Sequence, residues 1–295
     1  MRITQRAVAL TSLQGLNRNL DAVGKLQQQL TSGRLINAPS DSPTGTNRAM
    51  QTRGDQAAVA QQGRNLADAR NWLEQTDSTL RTMIDTSRKV RDLTVQGLNT
   101  GAQSDVAQKA LATEVTSLRE GLLSLANITI QGRPLFGGVT SGGKAYDSAT
   151  GAWAGQGGTP VTRRVSDTEK IRVDMTGPEA FGTPGDDLFA VVDRIATDLV
   201  SGVPGALDVH LADLDAIMNQ MSSAVADVGT RASRVERLEQ INADRVISLS
   251  QQLGETENID LPNTIMRLEM QKVGYEAALA ATAKAIQPTL MDYLR

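Results

Sequence analysis

The segment Gly138-Val-Thr-Ser-Gly-Gly143-Lys144 has the glycine and lysine spacing of a phosphate-binding loop, whose backbone N–H groups cradle phosphate oxygens. Such a loop also needs Ser or Thr after the lysine to ligate Mg²⁺, and here Ala145 follows. No buried strand is read before it and no helix clearly after it, so a flexible Gly-rich turn is expected. His210 is the only histidine, in Asp208-Val-His-Leu211. An imidazole can serve as a general base, but no nucleophile accompanies this one, and a solvated helix position is expected. Asp186-Asp187 would suit a cation, yet two acids opening a helix are favoured by its dipole. Asn127-Ile-Thr129 matches a glycosylation acceptor, a triplet frequent by chance and given no weight. The chain has no cysteine, so disulfides and the usual thiolate and imidazole metal sites are excluded. No catalytic residue, cofactor or metal is expected, and the chain is read as not an enzyme.

The elements that would position any site are unusual. Aromatics form 3% of the 295 residues, which suits long helices with thin seams of Leu, Val and Ala better than a broad core. The net charge is −3, with both signs interspersed, and no basic face suggests nucleic acid. No run approaches 18 apolar residues, and MRITQRAVAL lacks the apolar core of a signal peptide. No membrane insertion is expected, and export would use a route without a cleaved signal.

From Ile3 to Leu30 apolar residues recur at intervals of three and four. Leu13, Leu16, Leu20, Val23 and Leu30 share one heptad frame, with Gln27 in the remaining slot. Gly33 is expected to stop this helix. Ser40 or Asp41 then caps a second helix, Pro43 lying in its first turn, from about Ser42 to about Thr100. Val59, Leu66, Leu73, Leu80 and Thr94 mark its seam, beside Ala69, Met83 and Val90. At about 1.5 Å per residue it would reach roughly 80 to 90 Å. A shorter helix follows, from about Asp105 to Asn127. Between Gly132 and Gly185 helical periodicity is lost, and Val161–Val165 is expected to pair with Ile171–Met175 as a hairpin. Helices return with Asp186–Val200, with a stripe through Leu214, Met221, Val228, Val235 and Leu249, and with a last helix after Pro262.

These elements predict a mainly α fold: a long antiparallel coiled-coil helical bundle from the N- and C-terminal regions, carrying a small β-rich inserted domain. The expected divisions are 1–137, 138–185 and 186–295. An amphipathic helix cannot bury its own stripe, so segments distant in sequence must close one bundle.

Arg2-Ile-Thr4, Leu30-Thr-Ser-Gly-Arg-Leu-Ile-Asn37 and Pro39-Ser-Asp41-Ser-Pro43 resemble the bacterial flagellin family. Tyr275-Glu-Ala-Ala-Leu279, Leu290-Met-Asp-Tyr-Leu294 and Leu135-Phe-Gly-Gly138 are more similar to the family's hook–filament junction proteins than to filament flagellin. The resemblance implies terminal helices folded together and a β-rich domain facing outward. It also implies extreme ends that order only on assembly, and unfolded export by the flagellar type III route. The partners implied are further copies in a ring or tube layer, hook-associated protein 1, flagellin and an export chaperone. Pro288 departs from the family's terminal helix and is expected to kink or end it. Terminal stripes have little chain left to cover them, so the assembly interface is expected at Ile3, Leu10, Leu13, Leu16, Leu20, Val23, Leu30, Ile286, Leu290 and Leu294.

Overall fold

The computed structural model describes residues 5–99, 105–140, 143–201 and 205–286, with the backbone alone at 5, 6, 8, 9, 285 and 286. Two long helices dominate it, α2 (Pro43–Leu98) and α6 (Ala206–Glu257). The remaining helices are α1 (Gln5–Ser32), α3 (Asp105–Ala126), α4 (Gly177–Phe181), α5 (Leu188–Ser201) and α7 (Leu261–Ile286). The strands are short: β1 (Thr129–Ile130) pairs antiparallel with β2 (Arg133–Pro134), and β3 (Thr162–Arg164) with β4 (Lys170–Arg172). Compactness divides the chain into residues 59–244 and a second unit of 1–58 with 245–295.

In the unit 59–244 the seven-residue rows become the core. Val59, Leu66, Ala69, Leu73, Leu80, Met83, Val90 and Thr94 of α2 are buried, as are Leu214, Met221, Val228 and Val235 of α6. The two helices run antiparallel: Arg91 pairs with Asp215 at 2.7 Å, while Asn242 donates to the Val59 carbonyl at 3.0 Å. α3 lies against α5 beside them. Each buried Leu side chain stabilises by roughly 1.5–3 kcal/mol, so the seam is a major contributor to the core of this unit.

The loop-rich middle is not set apart from that core. Tyr146, Val165, Ile171, Val173, Met175 and Phe181 are buried in one cluster with Leu66, Leu122 and Met221. Tyr146 meets Phe181 and Phe189 edge to face and Phe136 joins through Phe181, with neighbouring ring centroids 4.6–6.0 Å apart. Four of the chain's eight aromatics thus meet in one core, while Trp72 lies on α2 and Tyr275 on α7. Arg231 of α6 donates to the Asp174 carbonyl and Gln220 to those of Pro178 and Glu179, tying the loops to the helix. Gly138 has φ +69°, and a Cβ there would meet the Gln156 carbonyl oxygen, so only glycine fits the turn.

In the other unit α1 and α7 lie side by side. Gly33, at φ +69°, ends α1 by donating its N–H to the Gln29 carbonyl at 2.9 Å. The segments after α1 and α6 then pair antiparallel: Leu35 N–H donates to the Glu257 carbonyl at 2.6 Å, and Ile259 N–H to that of Gly33 at 3.2 Å. Arg53 adds an ion pair to Glu257 at 2.8 Å. Capping departs from expectation in one detail. Ser42, not Ser40 or Asp41, accepts from Gly45 N–H at 3.2 Å at the start of α2. Asp41 turns back instead, accepting from Asn37 and Ala38 N–H at 3.1 and 2.9 Å and pairing with Lys25 at 2.9 Å.

Candidate assembly interface

The residues that looked chemically active are committed to structure. Lys144 donates to Ser148 Oγ at 2.7 Å. Its loop follows the two-residue β2, and the next element is β3, so the strand–loop–helix frame of a phosphate loop is not formed. Asn127 uses both ends of its amide on the Tyr146 backbone, at 2.8 and 3.0 Å. Asp187 accepts from Ala190 N–H at 2.9 Å and so caps α5, while Asp186 pairs with Arg194 at 3.0 Å. Burial pushes the Asp187 carboxyl above the usual carboxylate range, against its hydrogen bonds from the Ala190 and Phe189 backbone. His210 corrects the sequence reading. Its ring is largely enclosed, not solvated, with Nε2 3.1 Å from Asp198 and Nδ1 3.5 Å from Asp213.

Exposed apolar side chains occur on several helices, and those of α1 and α7 include Leu10, Leu13, Leu20, Met266, Met270 and Val273. Asn19 accepts from Gln271 at 3.1 Å, which sets the side of α1 that faces α7. Leu16, Val23, Leu26 and Leu30 share that side and are half-buried. Leu13 and Leu20, the other row of the same heptad frame, are 51% and 52% exposed, and Leu10 is exposed beside them. One stripe in the sequence is thus two adjacent rows in the molecule, about 40–60° apart around the helix. In this arrangement Leu16, Val23 and Leu30 are half-buried, while Leu13 and Leu20 are left to solvent.

Of the ten expected interface residues, then, Leu10, Leu13 and Leu20 are exposed, while Leu16, Val23 and Leu30 are half-buried. Ile3, Leu290 and Leu294 lie outside the described residues, as does the side chain of Ile286 at the end of α7. Sequence reasoning missed a second surface. Along α7, Leu268 is buried and Tyr275 half-buried, but Met266, Met270 and Val273 stand exposed on the opposite face. The signal was present as a second heptad row, Met266–Val273–Ala280 beside Met270–Ala277. Among the described residues no helix is long and apolar enough to cross a membrane.

Residues 3–141 match the family model for the bacterial flagellin N-terminal helical region. The chain is 24% identical to flagellar hook-associated protein 3 of Salmonella typhimurium (strain LT2), across 94% of this chain and 95% of that protein. It is 25% identical to the flagellin of Bacillus subtilis (strain 168) over 80% of each. A solved structure assigned as a flagellar hook-associated protein of Vibrio parahaemolyticus shares the fold. Its TM-score is 0.68 at 20% identity, covering 74% of this chain and 100% of that one. The N-terminal part of the chain thus matches the bacterial flagellin N-terminal helical region, and the chain is similar along nearly its whole length to flagellar hook-associated protein 3.

Proposed function

We propose that this chain forms the layer joining hook to filament, and that it assembles with copies of itself through α1 and α7. The observation that carries the reading is the exposed row Leu13–Leu20 on α1, next to a row already covered by α7. An uncovered leucine row in water is a standing cost that a neighbouring subunit removes, and repeated heterologous contacts of one kind close a ring or build a tube. Ile3, Leu10, Leu13, Leu16, Leu20, Val23, Leu30, Ile286, Leu290 and Leu294 are the residues assigned to this contact. Above and below the layer, hook-associated protein 1 and flagellin are the partners assigned. A chaperone would hold the C-terminal region during unfolded export.

Leu20→Asp tests the reading. It should leave export and the fold of residues 59–244 intact and abolish junction assembly, so cells carrying it grow no filament. Motile cells with filaments on this variant would overturn the assignment. A second reading, filament flagellin, draws on the match to the Bacillus subtilis protein at similar identity. Copy number separates the two: one layer per flagellum for a junction, thousands of copies for a filament.

A further inference from the structure

The chain has nine methionines, and those among the described residues lie in sharply different surroundings. Met83, Met175 and Met221 are buried. Met266 and Met270, one turn apart on α7, are 57% and 70% exposed. Val273, Ala277 and Ala280 are also exposed and continue the same face, at the spacing of one helical side. That face lies opposite the one holding Leu268, Gln271 and Tyr275. α7 is therefore apolar on both sides while α1 covers only one, the pattern of a helix that is enclosed when in use.

We infer that Met266 and Met270 form a peroxide-reactive pair in the free subunit, and that their sulfoxides block the packing of a second copy on this face of α7. The inference rests on the self-assembly reading above. The oxidant is a peroxide. A thioether sulfur lone pair attacks one peroxide oxygen, the S–O bond forms as the O–O bond breaks, and proton transfer releases water from hydrogen peroxide. Sulfur loses two electrons and the peroxide gains them. The product side chain is polar and chiral where it had been apolar and adaptable. Two such groups on adjacent turns place strong acceptors on a surface whose other members, Val273, Ala277 and Ala280, offer no side-chain donor. A second copy's exposed leucines would offer none either, so both oxygens would be stripped of water without replacement.

The test uses the full chain, treated with graded hydrogen peroxide, quenched, digested and mapped by mass spectrometry. Peptides holding Met266 and Met270 should gain oxygen at least about tenfold faster than those holding Met83, Met175 and Met221. Equal rates would overturn the inference. Self-association, followed by sedimentation, should be lost on oxidation and return after treatment with methionine sulfoxide reductases. Met266→Leu with Met270→Leu should self-associate normally and resist peroxide, while Met50→Leu, removing an exposed methionine of α2, should remain sensitive. Assembly that survives oxidation of both residues sinks the inference alone. A chain that does not self-associate before treatment sinks the assembly reading and, with it, the proposed effect of oxidation.

Discussion

Gln271 donates its side-chain amide to Asn19 Oδ1 at 3.1 Å, joining α7 to α1 across 252 residues of chain. Both side chains are half-buried on the facing sides of the two helices. Near the helix ends, the Gly33 and Ile259 backbones meet as well. The terminal helices are thus paired by specific polar contacts as well as by Leu16, Val23 and Leu30. Asn19→Ala should cost about 1 kcal/mol of local stability, the typical worth of a part-buried hydrogen bond. Faster amide exchange confined to α1 and α7 is the expected result. A change spread over residues 59–244 would show that the pair is not local.

The two kinds of leucine should respond differently to truncation. Leu80→Ala opens a cavity in the buried seam and should cost about 2–5 kcal/mol of monomer stability. Leu20→Ala removes a half-exposed side chain and should change monomer stability by less than about 0.5 kcal/mol. Urea unfolding of the two variants checks this. Equal costs would mean that Leu20 is already covered in the monomer.

Acid should loosen the turn between α1 and α2. The Lys25 ammonium, with the Ala38 and Asn37 N–H groups, pulls the Asp41 carboxyl from about 3.8 down to about 2. A depressed carboxylate stabilises the folded form above its unfolded value, and that contribution disappears as pH falls between those limits. Asp41→Asn should remove the dependence. Proteolysis at residues 34–42, compared at pH 5 and pH 2.5, should change in the natural chain and stay level in the variant.

Asp187 should behave in the opposite sense. Its carboxyl is raised by burial, so its charge opposes folding as pH rises through that range. Asp187→Asn keeps an oxygen for the Ala190 N–H and sheds the buried charge, so at pH 8 its melting temperature should equal or exceed the natural chain's. Asp187→Ala loses the cap and should cost about 1 kcal/mol. A destabilised Asn variant beside a neutral Ala variant would contradict the cap.

Much of this architecture was written in the spacing of residues. The row Val59–Leu66–Leu73–Leu80 has one physical outcome, because a seven-residue apolar repeat on a long helix needs a facing helix. Val161–Val165 and Ile171–Met175 likewise announced a hairpin, formed as β3 and β4. The gathering of Phe136, Tyr146, Phe181 and Phe189 was invisible in sequence, because their contacts are set by loops whose path local spacing does not encode. His210 was misread for the same reason: Asp198 reaches it from another helix. Leu13 and Leu16 make the point most sharply. Both satisfy the heptad equally, so periodicity alone could not say which row α7 covers. Only the direction in which α7 returns alongside α1 turned Leu16 inward and left Leu13 facing water, and that exposed row is where the proposed function resides.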